Sequence, residues 1–187
     1  MPPIALEDPP TTTTTTLNPK DFPPPTHPGK LHVHRSSKPF ASGAISQTSL
    51  PAGSLFAPIT GTTSSHKAYT SVQTGRDSHI ELNSDLVYCN HSCAPTLDFD
   101  MHAMQVRVVA GRDLKVGDPL TFFYPSSEWE MDQAFECMCG AESCKGFIKG
   151  AKEMSRDQLK GYWLNPHITE LLDERDARAE SSGSGSV

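Results

Sequence analysis

The chain has 187 residues, a formal net charge of −6 and an isoelectric point near 5.7. This length fits one domain with tails. Proteins that bind the phosphate backbone of nucleic acids usually present a basic face, so the acidic balance argues against direct nucleic-acid binding. No apolar run approaches the roughly 18 residues that cross a bilayer, and no signal peptide follows Met1. We expect a soluble intracellular protein, cytoplasmic or nuclear, without membrane insertion.

The two ends of the chain have the composition of flexible segments. From Met1 to about Gly29 the sequence is rich in proline and contains the threonine run 11–16. Such a segment offers too little apolar surface to offset the entropy lost on ordering. Residues 181–187 form a Ser/Gly tail of the same character. We therefore expect the folded unit to lie between a disordered arm over 1–29 and this tail.

The part from Leu31 to Tyr124 reads as a series of short strands. Its apolar residues come in brief runs that are broken by turn residues such as Gly43, Pro58 and Gly61. This punctuation is typical of β structure and differs from helical periodicity. The sequence therefore predicts several small sheets.

Four segments carry the clearest strand signals. Residues 69–73 and 79–82 alternate well enough to pair as a hairpin around the turn 74–77. Residues 105–109 form the strongest strand pattern. A further strand is predicted over 120–124, and its aromatic and β-branched content fits a buried position.

Cysteines in the second half of the chain are spaced like metal ligands. Cys137, Cys139 and Cys144 lie close together around the turn residue Gly140, and Cys93 lies upstream. Three local thiolates and one distant thiolate suit a closed, tetrahedral, structural zinc site. The sequence predicts that zinc ties the segment around Cys93 to the C-terminal region.

The alternatives to zinc are a disulfide or buried free thiols. Without a signal peptide, an oxidising compartment has no support. The spacing of Cys137 and Cys139 also strains a disulfide, whereas it suits two ligands of one ion. Cys89 is left over, and we interpret it as a small buried apolar side chain.

Two helices are predicted after the cysteines. Ser155 is a suitable N-cap for a helix that ends near Leu164, with Leu159 and Trp163 on one face. Asn165-Pro166 then begins a second helix, with proline at its first position. The apolar stripe of this second helix, which we expect to pack against the sheet, consists of Ile168, Leu171 and Leu172.

Three motifs in this order resemble the SET-domain family. They are Asn90-His91-Ser92-Cys93, the strand that ends at Tyr124, and the pattern Cys137-x-Cys139-x4-Cys144-x-Gly146. The resemblance covers roughly residues 31–150 and is to small stand-alone members with a post-SET zinc segment. It implies a mainly β (α+β) fold, the SET β-clip of small curved sheets around a knot-like crossing. The implied organisation is a SET domain over 30–127, a post-SET zinc segment over 128–150 and C-terminal helices over 151–180.

The resemblance also implies an activity and a set of site residues. Enzymes of this family transfer a methyl group from S-adenosylmethionine to a lysine side chain. Tyr124 matches the catalytic tyrosine, whose hydroxyl would orient the lysine amine. The resemblance places Asn90, His91, Ala41, Gly43, Tyr88 and Phe135 at the cofactor, and Phe122 and Trp129 in the substrate pocket. Taken alone, Asn90-His91 would instead be read as a turn beside a core histidine, and Tyr124 as an ordinary strand tyrosine.

Departures from the family pattern keep other functions open. Members usually begin with a Gly-x-Gly turn, but here Ala41 replaces the first glycine before Ser42-Gly43, and its methyl group is either tolerated or narrows the cofactor pocket. Phe122 would leave room for an already methylated amine. A protein that keeps the fold and zinc but serves as a binding module or scaffold is one alternative. A pocket that acts on a small molecule instead of a protein lysine is the other.

An acidic and aromatic segment follows Tyr124. It contains Glu128, Trp129, Glu130 and Asp132. We interpret it first as a solvated loop, with a cradle for a cationic substrate as the alternative.

Overall fold

The structure is a computed structural model that describes residues 23–38 and 40–183. Within these residues the chain forms twelve short strands and two α-helices. Most of the predicted arm, residues 1–22, and the last four residues of the predicted tail lie outside the described residues. The strands are β1 (Leu31–His34), β2 (Gly43–Ser46), β3 (Leu55–Pro58), β4 (Thr63–Ser65), β5 (Val72–Gln73), β6 (His79–Glu81), β7 (Asn90–His91), β8 (Leu97–Asp100), β9 (Gln105–Val108), β10 (Pro119–Phe122), β11 (Phe135–Glu136) and β12 (Phe147–Ile148).

One four-stranded sheet brings distant parts of the sequence together. Its order is β1-β2-β10-β7. Strands β1 and β2 are antiparallel neighbours, and β10 pairs antiparallel with β2 on one side and parallel with β7 on the other. In the parallel ladder Thr121 is opposite Asn90, and Phe122 is opposite His91. The Asn-His motif therefore lies beside the strand that leads to Tyr124.

The structure also contains two three-stranded antiparallel sheets. They have the orders β3-β9-β8 and β4-β6-β5. The hairpin predicted around residues 74–77 is confirmed, since Val72 pairs with Ile80 and Gln73 with His79. The strand predicted over 105–109 is confirmed as β9. Side chains alternate along β8, where Leu97 and Phe99 are buried, as expected for a strand with one core-facing side.

The C-terminal part consists of a two-stranded hairpin and two helices. Strands β11 and β12 pair antiparallel on either side of the cysteine segment. Helix α1 spans Arg156–Leu159 and begins with a capping box between Ser155 and Gln158. It is shorter than predicted, because Lys160 is extended and Gly161 has φ +87°, a conformation that favours glycine. Helix α2 spans Pro166–Gly183 and therefore includes the first residues of the predicted tail.

The ordered part also begins earlier than Gly29. The Thr26 backbone N–H donates to the Asp85 carboxylate at 2.7 Å, and the Asp85 backbone N–H donates to the Thr26 hydroxyl at 2.8 Å. This reciprocal pair fixes residues near the end of the predicted arm to the 3₁₀ turn Asp85–Tyr88. The other proposed boundaries, at residues 127 and 150, stay predictions.

Buried apolar side chains form two clusters. The first cluster contains the core faces of the N-terminal strands, including Phe56, Phe99 and Phe122. The second cluster lies around the cysteines and α2, and includes Phe123 and Ile148. The stripe of α2 joins the second cluster through Ile168 and Leu172, and α2 packs on the 3₁₀ turn Ala151–Glu153 more than on the sheet that we predicted. The mainly β architecture of small sheets is confirmed.

No helix among the described residues is long and apolar enough to cross a membrane.

Candidate active site and cysteine cluster

Tyr124 lies at the centre of a group of aromatic rings. The chain leaves β10 at Phe122 and turns through a 3₁₀ helix, Tyr124–Ser126, so the strand predicted over 120–124 ends two residues early and Tyr124 lies beyond it. Its ring centroid lies 4.7 Å from that of Phe122, 5.2 Å from that of His91 and 6.1 Å from that of Phe135. Three of the residues that the resemblance assigns to cofactor and substrate therefore surround the candidate catalytic tyrosine.

The Tyr124 hydroxyl has one hydrogen-bond partner among the described residues. It donates to the backbone carbonyl of Cys89 at 3.3 Å. Burial, the Cys89 thiol and the Glu128 carboxylate all raise the pKa of the phenol. The hydroxyl is therefore neutral at pH 7, and its oxygen can still accept a hydrogen bond from an amine.

His91 links Tyr124 to the cysteines. Its Nδ1 accepts the Tyr124 backbone N–H at 3.2 Å, and its Nε2 lies 3.4 Å from the Cys93 Sγ. Burial lowers the pKa of His91 to about 4, so the ring is neutral at pH 7. Because Nδ1 is an acceptor, Nε2 carries the proton and points it at the Cys93 sulfur. These contacts show that His91 is not an isolated core histidine.

Phe122 rests on a second aromatic ring that the sequence analysis did not identify. The rings of Phe122 and Phe99 stack with centroids 4.1 Å apart and an interplanar angle of 20°. Both side chains are buried. Apolar and polar residues alternate around Phe99, and this pattern indicates that its side chain faces the core. The alternation does not indicate which ring Phe99 stacks on.

Asn90 and the Ala41-Ser42-Gly43 turn lie side by side. The Asn90 side-chain amide donates to the Ser42 carbonyl at 2.8 Å. A Cβ added at Gly43 would lie 3.1 Å from the Asn90 Nδ2, so the missing side chain lets the two segments approach. Asn90 and Ala41 are both exposed. An exposed amide beside a backbone without a side chain fits a polar cofactor.

Tyr88 and Phe135 have different surroundings. The Tyr88 hydroxyl accepts a hydrogen bond from Arg35 at 2.7 Å, and the guanidinium also lies 5.0 Å from the centre of the Tyr88 ring. Phe135 is on β11, where its ring lies 5.5 Å from that of His91. Phe135 thus connects the cysteine hairpin to the ring group, whereas Tyr88 is held mainly by Arg35.

The four cysteines that were predicted as ligands lie together. The Sγ atoms of Cys93, Cys137, Cys139 and Cys144 are all within 4.8 Å of one another. A tetrahedral zinc ion with Zn–S bonds near 2.3 Å separates its sulfurs by about 3.8 Å, so this spacing fits the ion. All five cysteines are free of disulfides, and Cys89 is buried apart from the four, as predicted. The donor set fits a closed structural zinc site.

The cluster is supported by hydrogen bonds around Cys93. The Lys145 backbone N–H donates to the Cys93 Sγ at 3.3 Å, which stabilises a thiolate ligand. The Tyr162 hydroxyl donates to the Cys93 carbonyl at 2.6 Å, and the Tyr162 ring stacks on Phe123 with centroids 3.8 Å apart. Tyr162 was not identified from the sequence, because its partner Cys93 lies 69 residues away.

The segment after Tyr124 differs from the solvated loop that we expected. Glu130 and Asp132 are exposed, but Glu128 is only 8% exposed. The loop interpretation is therefore wrong for Glu128. Burial raises the pKa of its carboxyl to about 7.

Trp129 belongs to a different environment from Tyr124. It packs against the second apolar cluster, and its backbone N–H donates to the Gln73 side-chain carbonyl at 2.8 Å. Among the described residues no ring contact joins Trp129 to Tyr124. Its assignment to the substrate pocket stays a prediction.

A cleft of about 430 Å³ lies beside His91. Strand β10 contributes Thr121, and the cysteine segment contributes Cys139, Gly140 and Ala141. Of the residues assigned to the cofactor, His91 is the one that lines this cleft. The cleft volume falls in the range of small-molecule sites, but its lining does not identify it as the cofactor site.

Comparisons with known proteins agree with these features. The model of the SET domain family matches residues 29–125. The chain is 53% identical over 149 residues, which are 79% of this chain and 84% of the relative, to "Methyltransferase flvH" of Aspergillus flavus. It is 32% identical over 66 residues to "Histone-lysine N-methyltransferase, H3 lysine-4 specific" of Emericella nidulans, a match over 33% of this chain and 5% of that protein. It is also 30% identical over 80 residues to "Histone-lysine N-methyltransferase ASHR3" of Arabidopsis thaliana, over 41% of this chain and 16% of that protein.

The family match covers more than half of the chain, and the Aspergillus flavus relative covers most of it. The chain therefore belongs to the SET-domain family. It is a methyltransferase of that family, and the SET fold expected from its motifs is confirmed.

Proposed function

We propose that this protein is an S-adenosylmethionine-dependent N-methyltransferase that methylates the side-chain amine of a protein lysine. The observation that carries the proposal is the Tyr124 hydroxyl, which is neutral, buried and hydrogen-bonded to the Cys89 carbonyl beside the Asn90-His91 strand. Methyl transfer from a sulfonium is an in-line displacement, so an enzyme gains most by aligning a neutral amine and excluding water. A fixed phenol among apolar rings is suited to that task.

The roles of the residues follow from their positions. When bound, S-adenosylmethionine supplies an electrophilic methyl group. Asn90 and Gly43 would contact the cofactor where their two segments lie side by side, with His91 next to them. Tyr124 would orient the amine, and Phe122 would leave space for an amine that already carries a methyl group. Zinc bound by the four cysteines would hold the segment around Cys139 against the loop after β7 that contains Cys93.

A small amine is the second candidate substrate. The relative that covers most of the chain has a name that states methyltransferase and no protein substrate. The histone-lysine methyltransferases match only a third to two fifths of the chain. These two observations favour a search for a low-molecular-weight acceptor alongside a protein acceptor.

The test uses the full chain, labelled methyl donor and a cell extract that is separated into protein and small-molecule fractions. We expect Tyr124→Phe to lower the rate of label transfer by roughly 10²-fold, as for loss of one fixed hydrogen-bonding group in a dry site. Tyr69→Phe is the matched control, because Tyr69 is 67% exposed and lies outside the ring group around Tyr124. Its rate should equal that of the wild type.

Each outcome has a defined meaning. Label in the protein fraction supports a protein lysine, and label in the small-molecule fraction alone supports the second candidate. Equal transfer by wild type and Tyr124→Phe would contradict the role of the tyrosine. If calorimetry detects no binding of S-adenosylmethionine to the wild type, the enzyme proposal fails and a binding module or scaffold remains.

A further inference from the structure

Glu128 is built into the same turn as Tyr124. The backbone N–H groups of Ser127 and Glu128 both donate to the Tyr124 carbonyl, at 3.0 Å and 2.9 Å. The position of the Glu128 backbone is thus fixed relative to the candidate catalytic residue. The Glu128 carboxylate also lies within electrostatic range of the phenol, whose pKa it raises.

The Glu128 carboxylate is held at one oxygen only. Its Oε1 accepts the backbone N–H of Gln73 at 2.8 Å and the hydroxyl of Ser127 at 3.2 Å. Its Oε2 accepts no hydrogen bond from the described residues. Gln73 is itself only 3% exposed, and it also accepts the backbone N–H of Trp129. Strand β5 therefore clamps the carboxylate in place and leaves one oxygen available to a further donor.

No ion pair compensates this buried charge within the described residues. Lys67 is the cation whose charge lowers the pKa of Glu128, and it is exposed in the connection between β4 and β5. A buried carboxylate is costly unless it is paired with a cation or fully hydrogen-bonded. Two neutral donors satisfy one oxygen, and the other oxygen is not among the fully buried atoms without a partner, so it is open to solvent and to a cationic ligand.

We propose that Glu128 is a second catalytic residue, which binds the ammonium group of the substrate beside Tyr124 and takes one proton from it. The inference rests on the proposed function, since it assigns a residue to the same methyl-transfer site. One N–H bond of the ammonium breaks and one O–H bond forms on the Glu128 carboxyl, which leaves a neutral amine with its electron pair free for the methyl carbon. After transfer the product leaves as the methylated ammonium, and the proton on Glu128 passes to water. The apolar rings around Tyr124 favour the neutral amine as well, because desolvation disfavours an ammonium ion.

The pH dependence follows from the groups around the carboxyl. These groups are Lys67 on the connection before β5, His79 on β6 beside Gln73, Tyr124, and His167 at the start of α2, whose ring nitrogen lies 2.8 Å from the Ser127 carbonyl. Burial lowers the pKa of both histidines, so they are neutral near pH 7. With the Glu128 pKa near 7, the carboxylate accepts a proton only above that pH, and the rate should fall as the pH drops through 7.

Glu128→Gln separates this role from a purely structural one. The glutamine keeps the volume of the side chain and an oxygen that accepts from Gln73, but it has no charge and takes no proton at these pH values. Glu130→Gln is the matched control, because Glu130 is an exposed acid two residues further along.

A direct measurement follows the carboxyl signals of the full chain by NMR as the pH is varied, with n-butylammonium as the probe. The signal absent from Glu128→Gln belongs to this residue. We expect it to titrate near pH 7 and to shift to lower pH, in a saturable way, when n-butylammonium is added. n-Butanol at the same concentration should leave it unchanged. A titration that n-butylammonium does not move would overturn the proposal, whether or not the protein transfers methyl groups.

The kinetic measurement uses whichever acceptor takes label from the wild type. We expect Glu128→Gln to raise the KM for the acceptor by about 10-fold or more, to lose the fall in rate below pH 7, and to bind S-adenosylmethionine as the wild type does. Glu130→Gln should match the wild type in all three. An unchanged KM and pH profile in Glu128→Gln would refute the inference while the proposed function stands. A carboxyl that responds to n-butylammonium in a protein that transfers no methyl group would support the ammonium site at Glu128, but it would refute the catalytic role of this residue together with the proposed function.

Discussion

The two apolar clusters of this molecule differ in the side chains that form them. The first consists of aliphatic and aromatic side chains on strands β1 to β10. The second is smaller, contains Cys93 and is bordered by the other three clustered cysteines. Phe122 belongs to the first cluster and its neighbour Phe123 to the second, so the chain passes from one to the other immediately before Tyr124. We therefore propose that the candidate site depends on both hydrophobic burial and metal binding, and experiments can separate the two.

Removal of zinc should have the largest effect, and it should be confined to the second cluster. Structural zinc contributes about 10–16 kcal/mol of binding free energy in small zinc domains at pH 7. We expect one zinc ion per chain by elemental analysis. After chelation, amide hydrogens over 135–148 should exchange quickly, whereas those over 97–108 should stay protected.

Cys144→Ser should reproduce the effect of the chelator, and Cys89→Ala is the control that should keep its zinc. Equal loss of protection from amide exchange over both segments would show that zinc does not stabilise the second cluster selectively. If the purified protein contains no zinc, the four cysteines do not form a structural zinc site.

A cavity in the first cluster should have the next largest effect, independent of metal. Phe99→Ala removes a fully buried ring that stacks on Phe122. We expect the free energy of unfolding in urea to fall by about 3–5 kcal/mol. Zinc content should not change, because Phe99 does not belong to the second cluster.

Phe147→Ala is the matched control for this substitution. Phe147 is 56% exposed, so its removal should cost much less stability than that of Phe99. Comparable losses for the two variants would show that burial does not set the stability of the first cluster.

The smallest effect is expected where the two clusters are connected. Tyr162→Phe keeps the stacking on Phe123 but removes the hydroxyl that donates to the Cys93 carbonyl. We expect a loss of about 1 kcal/mol in the free energy of unfolding, typical of one hydrogen bond. The rate at which zinc is lost to a chelator should rise in this variant. An unchanged rate would mean that Tyr162 does not hold the loop that contains Cys93.

The sequence was most informative where a pattern is local. The spacing of Cys137, Cys139 and Cys144 predicted a cluster that the structure contains, because ligands of one ion must be close in space. The alternation over 105–109 predicted β9 for a similarly local reason. The motif Asn90-His91 identified the strand beside Tyr124 through its resemblance to a family and not through its own pattern.

What the sequence missed depends on partners far along the chain. The aromatic pattern over 120–124 continues to Tyr124, yet the strand ends at Phe122, where its partner β7 also ends. The acidic residues after Tyr124 look solvated, but Glu128 is buried by a contact with Gln73, 55 residues away. No local pattern contains either partner.

The place of β10 in its sheet affects how the protein can be synthesised. Strand β10 lies between β2 and β7, although both are translated before it. Until Phe122 has left the ribosome, β2 and β7 each present an unpaired edge, and exposed edges of this kind invite association with other chains. The nascent polypeptide therefore carries the open edge of β2 from residue 46, and that of β7 as well from residue 91, until residue 122 has been added. A chaperone that shields these edges would raise the yield of folded protein more than it would change the stability of the finished molecule.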